Sequence, residues 1–175
     1  MSLIVEDGTG LSNAESFCSV ADATTYHANR GNAAWAALAS DTVREQLLRK
    51  ASDYMEQVYR EQWNGYRKLF TQSLSWPRYR VPMQDASGGY YLYPAFYPSD
   101  SVPVLVANAC AALALRAATD DLAPDIGRLK SRVKIGPIET DYVPGSSHTR
   151  YRAIDNMLLP FLNGYGGANI KIERI

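Results

Sequence analysis

The sequence is poor in the residues that carry most metal and redox chemistry. Its 175 residues include two cysteines and two histidines. Cys18 and Cys110 lie far apart among apolar or small neighbours, which predicts buried thiols in a reducing compartment rather than a disulfide. His27 and His148 have no Cys or His at ligand spacing, which argues against zinc. Cys18 with His27 is the nearest approach to a nucleophile and base, and nothing local would depress the thiol's pKa. No Walker-type loop and no Gly-x-Gly-x-x-Gly opening a helix occurs. Asp7-Gly8-Thr9-Gly10 comes nearest and reads as a turn, while Asp120-Asp121 reads as a solvated acidic pair. The expectation is no enzyme, no cofactor and no metal.

Net charge is missing too: 18 Lys and Arg balance 18 Asp and Glu. That excludes a polycation and an acidic disordered tail. Long apolar runs are absent. The most apolar stretch, 104–115, contains Asn108 and is too short to cross a bilayer as a helix, so it predicts a core segment and no membrane partner. Residues 1–7 become acidic at once and do not read as a signal peptide, so a cytoplasmic chain is expected. What is present is 46% hydrophobic residues with 21% charged, enough for one globular domain, and twelve tyrosines.

Ser19 is placed to cap a helix over 20–30, closed by Gly31. A longer helix starts at Ser40 or Asp41. Its residues Val43, Leu47, Leu48, Ala51, Tyr54, Met55, Val58 and Tyr59 form one stripe, and Gly65 closes it. Residues 66–80 read as extended, since Trp76-Pro77 denies a helix. Residues 81–101, with Gly88-Gly89, Pro94 and Pro98, read as a long loop. A helix from 102 or 103 to 119 is apolar nearly all round and should lie centrally. Residues 128–143 read as a β-hairpin turning at Gly136-Pro137, with Ile135 opposite Ile138, Lys134 opposite Glu139 and Arg132 opposite Asp141. A last helix over 153–163 is interrupted by Pro160. The fold expected is mainly α: a small helical bundle with a protruding β-hairpin and extended termini. Residues 1–163 form the domain, and 164–175 a flexible docking arm behind a glycine hinge.

Three stretches suggest contact. Tyr90, Tyr91, Tyr93, Phe96 and Tyr97 crowd the loop, either folded onto the core or forming a protein interface. Base stacking there would lack a cation to hold phosphate. Arg128, Lys130, Arg132 and Lys134 share one strand face as a possible DNA-facing strip, although Glu139 and Asp141 answer two of them. Ile170, Ile172 and Ile175 suit a strand that is frayed or added to another subunit's sheet or groove.

Three blocks carry a family resemblance. They are Val5-Glu6-Asp7-Gly8-Thr9-Gly10-Leu11 with the Asn13 to Gly31 residues that follow, Leu74-Ser75-Trp76-Pro77-Arg78, and Val133-Lys134-Ile135-Gly136-Pro137-Ile138-Glu139. In this order they resemble small tailed-phage and prophage neck proteins. The resemblance implies a head–tail connector or head-completion adaptor, with a connector-adaptor-like fold. It implies a homo-oligomeric ring, a dodecamer, beneath a portal protein and in contact with a tail-completion or tail-terminator protein. Such a ring would surround double-stranded DNA in the virion neck after assembly in the host cytoplasm. Members of the family are also labelled DnaT-like single-stranded-DNA-binding proteins, which is the alternative function. The stretch 83–97 is longer than the family's usual pattern.

Overall fold

The computed structural model describes residues 2–87, 94–124, 132–135, 138–141 and 151–163. Near the amino terminus a single parallel bridge joins Val5 to Ser16. Between them the chain wraps around one side chain. The buried Glu6 carboxylate accepts the amides of Gly8 at 2.9 Å, Gly10 at 2.8 Å and Leu11 at 2.9 Å. The 7–10 turn expected from sequence is thus held by the acid that precedes it.

Ser19 caps α1 (Val20–Ala28) by accepting the Asp22 amide, and Gly31, at φ +67°, ends the turn that follows. A one-turn helix, α2 (Ala33–Ala36), comes next and buries Trp35. It is too short for periodicity to reveal. Ser40 caps α3 (Asp41–Tyr59) by accepting the Val43 amide, a contact worth about 1 kcal/mol. The expected stripe is buried through Leu47, Leu48, Ala51, Tyr54, Met55 and Tyr59, while Val58 stays exposed. The helix stops at Tyr59, short of Gly65.

α4 (Val104–Arg116) packs against α1, α3 and α5 (Arg152–Leu158), the central place its composition predicts. Ala109, Ala111 and Ala114 are fully buried and let neighbouring helices approach closely, with Val106, Cys110 and Leu113 filling the remaining space. α5 passes into a 3-10 turn over Leu159–Phe161. Pro160, which has no amide hydrogen to donate, marks the change.

Among the described residues the strands form three two-stranded antiparallel ribbons. β1 (Tyr66–Arg67) pairs with β2 (Arg78–Tyr79), β3 (Pro82–Ser87) with β4 (Pro94–Phe96), and β5 (Arg132–Ile135) with β6 (Ile138–Asp141). The last ribbon has the predicted register, Arg132 opposite Asp141, Lys134 opposite Glu139 and Ile135 opposite Ile138. The second corrects the expectation of a long loop over 81–101. Its strands have weak β propensity and an irregular register between Met83 and Ser87. Anchors beside the ribbon set the pairing instead: Val81 is buried and its carbonyl accepts the Tyr97 amide at 2.9 Å.

An aromatic series ties these parts together. Tyr54, Tyr59, Trp63, Trp76, Phe161 and Tyr97 follow one another with ring centroids 4.8–6.5 Å apart. The segment after α3 is also stitched to the end of the last helix. The Asn64 amide donates to Phe161 at 2.8 Å, and the Asn163 amide donates to Gln62 at 2.6 Å. The first ribbon therefore stands on a rigid base.

Candidate nucleic-acid interface

Gly65, at φ +69°, leads the chain into β1. A Cβ there would collide with the Tyr79 carbonyl oxygen and press on the Arg80 backbone, so the close approach of the two strands requires glycine. Tyr66 then lies opposite Tyr79, and Arg67 opposite Arg78. The Lys68 amide continues the ladder to the Pro77 carbonyl at 3.1 Å.

Alternation places the two tyrosines on one face, where they are 70% and 44% exposed. Arg78 is buried beneath them. Its guanidinium donates to the carbonyls of Asn64 at 2.7 Å, Gly65 at 2.8 Å and Ser75 at 3.0 Å. Burial pushes its pKa down to about 10, with Arg67 adding to the shift and Glu56 opposing it, so the group stays cationic at neutral pH. Glu56 does not pair with it directly. Its carboxylate accepts the Ser75 amide at 2.6 Å and the Ser75 hydroxyl at 2.8 Å, and burial raises its pKa against the pull of those two bonds.

The segment joining β1 to β2 is braced from within. Gln72 donates to the carbonyls of Leu74 and Pro77 and accepts the Leu69 amide. Arg67 donates to the Gln72 carbonyl at 3.1 Å, and the Lys68 ammonium donates to the Gly8 carbonyl at 3.0 Å. The same segment exposes Phe70, at 91%.

Residues 66–80 contain Arg67, Lys68, Arg78 and Arg80 and neither Asp nor Glu. Among the described residues none of these four cations forms an ion pair, whereas Arg44 pairs with Asp41 and Arg49 with Glu15 and Glu45. Carbonyl partners orient a cation without cancelling its charge. Glu56 lies near enough to Arg67 and Arg78, and Asp7 to Lys68, to offset part of their charge without pairing with them. An exposed tyrosine pair beside this unpaired positive charge has the chemistry to stack unpaired bases and attract a phosphate backbone.

From sequence, 66–80 reads only as an extended stretch, and this site is not among the residues it singles out. The signal was present: Tyr66-Arg67-Lys68 and Arg78-Tyr79-Arg80 interleave aromatics with cations. Which of those side chains is exposed and which is structural follows only from the pairing.

The residues singled out from sequence lie elsewhere. Phe96 ends β4 and is half exposed, whereas Tyr97 turns inward, its ring 4.8 Å from Phe161 and its hydroxyl pKa raised by burial and by Asp85. Arg132 and Lys134 sit in β5 opposite acids. Tyr90, Tyr91, Tyr93, Arg128, Lys130, Ile170, Ile172, Ile175 and the whole arm 164–175 lie outside the described residues. Among the described residues no three His, Cys, Asp or Glu side chains converge as metal ligands.

A family model described as "Putative DnaT-like ssDNA binding protein" matches residues 1–175. No curated protein and no solved structure matches the chain. The family match overturns the head–tail connector expectation, with its neck ring, portal and tail partners, and supports the alternative label instead. The blocks that suggested a connector have structural roles here. Glu6 gathers the amides of the 7–10 turn, Trp76 is buried in the core, and Lys134 and Ile135 pair with Glu139 and Ile138 in the β5–β6 ribbon. Such blocks report a fold, and a fold does not specify an assembly.

Proposed function

We propose that this chain, which belongs to the DnaT-like single-stranded-DNA-binding protein family, binds single-stranded DNA through the β1–β2 ribbon without reading its sequence. The observation that carries this is the exposed Tyr66–Tyr79 pair in a stretch of four cations with no acid. Every base offers a π-face, so stacking on tyrosine tolerates any sequence and contributes about 1–3 kcal/mol per base. A base must leave its duplex to present that face, which favours single strands. The proposed role is binding without catalysis.

Net charge is zero, so attraction to DNA depends on the local field of the ribbon and not on that of the whole molecule. Affinity should therefore be modest and fall steeply with salt, with a log–log slope of about 0.7 per phosphate contacted. Fluorescence anisotropy of labelled oligothymidylate, titrated at several salt concentrations against duplex competitor, tests this. The expected result is salt-sensitive binding that duplex displaces poorly. If single strands do not bind at low salt, or duplex competes equally, the function is not this one.

A further inference from the structure

We propose that Arg80 is the residue of this ribbon that contacts the DNA phosphate, held in a backbone conformation that an arginine adopts only with strain. The assignment rests on the single-stranded-DNA reading and gives one of the ribbon's cations a specific task. Arg80 directly follows Tyr79 and has φ +58°, the one non-glycine residue with positive φ among the described residues. That region crowds a Cβ against the following carbonyl; Gly adopts it freely and Asn with less difficulty than most.

The fold explains the conformation. Tyr79 is exposed and Val81 is fully buried, so the chain must turn at the residue between them. The Tyr79 carbonyl lies against the bare Cα of Gly65, and the Val81 carbonyl is engaged by the Tyr97 amide. Both sides of the corner are fixed. Nothing in these contacts requires an arginine, and glycine would make the same corner with no strain.

The side chain supplies the reason. The other three cations of the stretch are used internally: Arg67 holds the Gln72 carbonyl, Lys68 the Gly8 carbonyl, and Arg78 is enclosed by carbonyls. Arg80 is exposed and makes no hydrogen bond or ion pair among the described residues. A strained backbone bearing an unengaged cation, next to an exposed aromatic, is the pattern of a ligand clamp. Guanidinium offers two parallel donors to a phosphate, and its neighbour in sequence stacks the attached base.

The test compares the intact protein with R80G and R80N, by thermal melting and by oligothymidylate anisotropy across salt. Both substitutions suit the left-handed corner and remove the cation. The expected result is a Tm unchanged or raised by roughly 2–4 °C, affinity lower by about tenfold at low salt, and a salt slope smaller by about 0.7. Unchanged affinity and slope would overturn the assignment while leaving the ribbon as the binding site. A lowered Tm in both variants would overturn it as well, by showing that the arginine serves the fold. Failure of the unsubstituted protein to bind would instead remove the single-stranded-DNA reading itself.

Discussion

Tyr66 and Tyr79 face each other across β1 and β2, and both remain open to solvent. A cross-strand aromatic pair contributes only about 0.2–1 kcal/mol to a sheet, and rings this exposed gain little from burial. The pair is thus a minor stabiliser and a large contact surface. Replacing either tyrosine with alanine should leave Tm nearly unchanged and weaken oligothymidylate binding by about 1–3 kcal/mol. Anisotropy and melting on the same samples separate the two effects. Loss of stability without loss of binding would mean that the rings serve the fold.

Two glycines with left-handed φ make a matched comparison. A Cβ at Gly31 would meet nothing, whereas one at Gly65 would strike the Tyr79 carbonyl. Gly31→Ala should cost only the left-handed penalty, about 1–2 kcal/mol. Gly65→Ala adds a backbone collision that must move β2, so it should cost more and also weaken DNA binding. Urea melts of the two variants measure the difference, and equal costs would show that the strands are free to separate.

Glu6 holds three amides with one carboxylate, and hydrogen bonds to a charged group are worth about 1.5–3 kcal/mol each. Glu6→Gln keeps the size but turns one acceptor oxygen into an amino group facing an amide donor. A loss of at least about 2 kcal/mol is expected, read by chemical denaturation, with Glu6→Ala more severe. A variant as stable as the parent would mean that the turn closes without the acid.

His27 is buried, stacked on Trp35 at 4.7 Å, with Nε2 3.0 Å from the Ala111 carbonyl and Nδ1 3.0 Å from the Asn32 amide nitrogen. Burial lowers its pKa, the Ala111 bond opposes the shift, and Arg30 and Arg116 add to it. The folded protein therefore takes up this proton less readily than the unfolded chain, whose histidine titrates near 6.5. The resulting stability is complete above about pH 6.5 and declines as pH falls toward the lowered folded value. Between neutral and mildly acidic pH the parent should lose more Tm than His27→Gln. Parallel losses would assign the acid sensitivity to other groups.

Cys18 and Cys110 are both buried free thiols whose pKa values are raised by burial. Alkylation by iodoacetamide should be negligible in the native protein and rapid in denaturant, since the thiolate is the reactive form. Mass spectrometry after each treatment counts the modified sites. Rapid native labelling of either cysteine would show that the core around α4 opens readily.

The amino-acid sequence by itself determined what depends on near neighbours. Ser19 and Ser40 begin their helices because a hydroxyl reaches an amide three residues on, and the α3 stripe follows from helical period. The alanine-rich α4 is central because small apolar side chains on every face need neighbours on every face. Opposite charges a short hairpin apart were enough to set the β5–β6 register. Tertiary structure decided the rest. It paired 82–87 with 94–96 where composition indicated a loop, because the buried Val81 and the Tyr97–Phe161 contact hold the two segments together. It also separated four similar cations into three that brace the ribbon and one, Arg80, that faces solvent. Burial belongs to the folded chain, and no spacing between residues encodes which arginine will be enclosed by carbonyls.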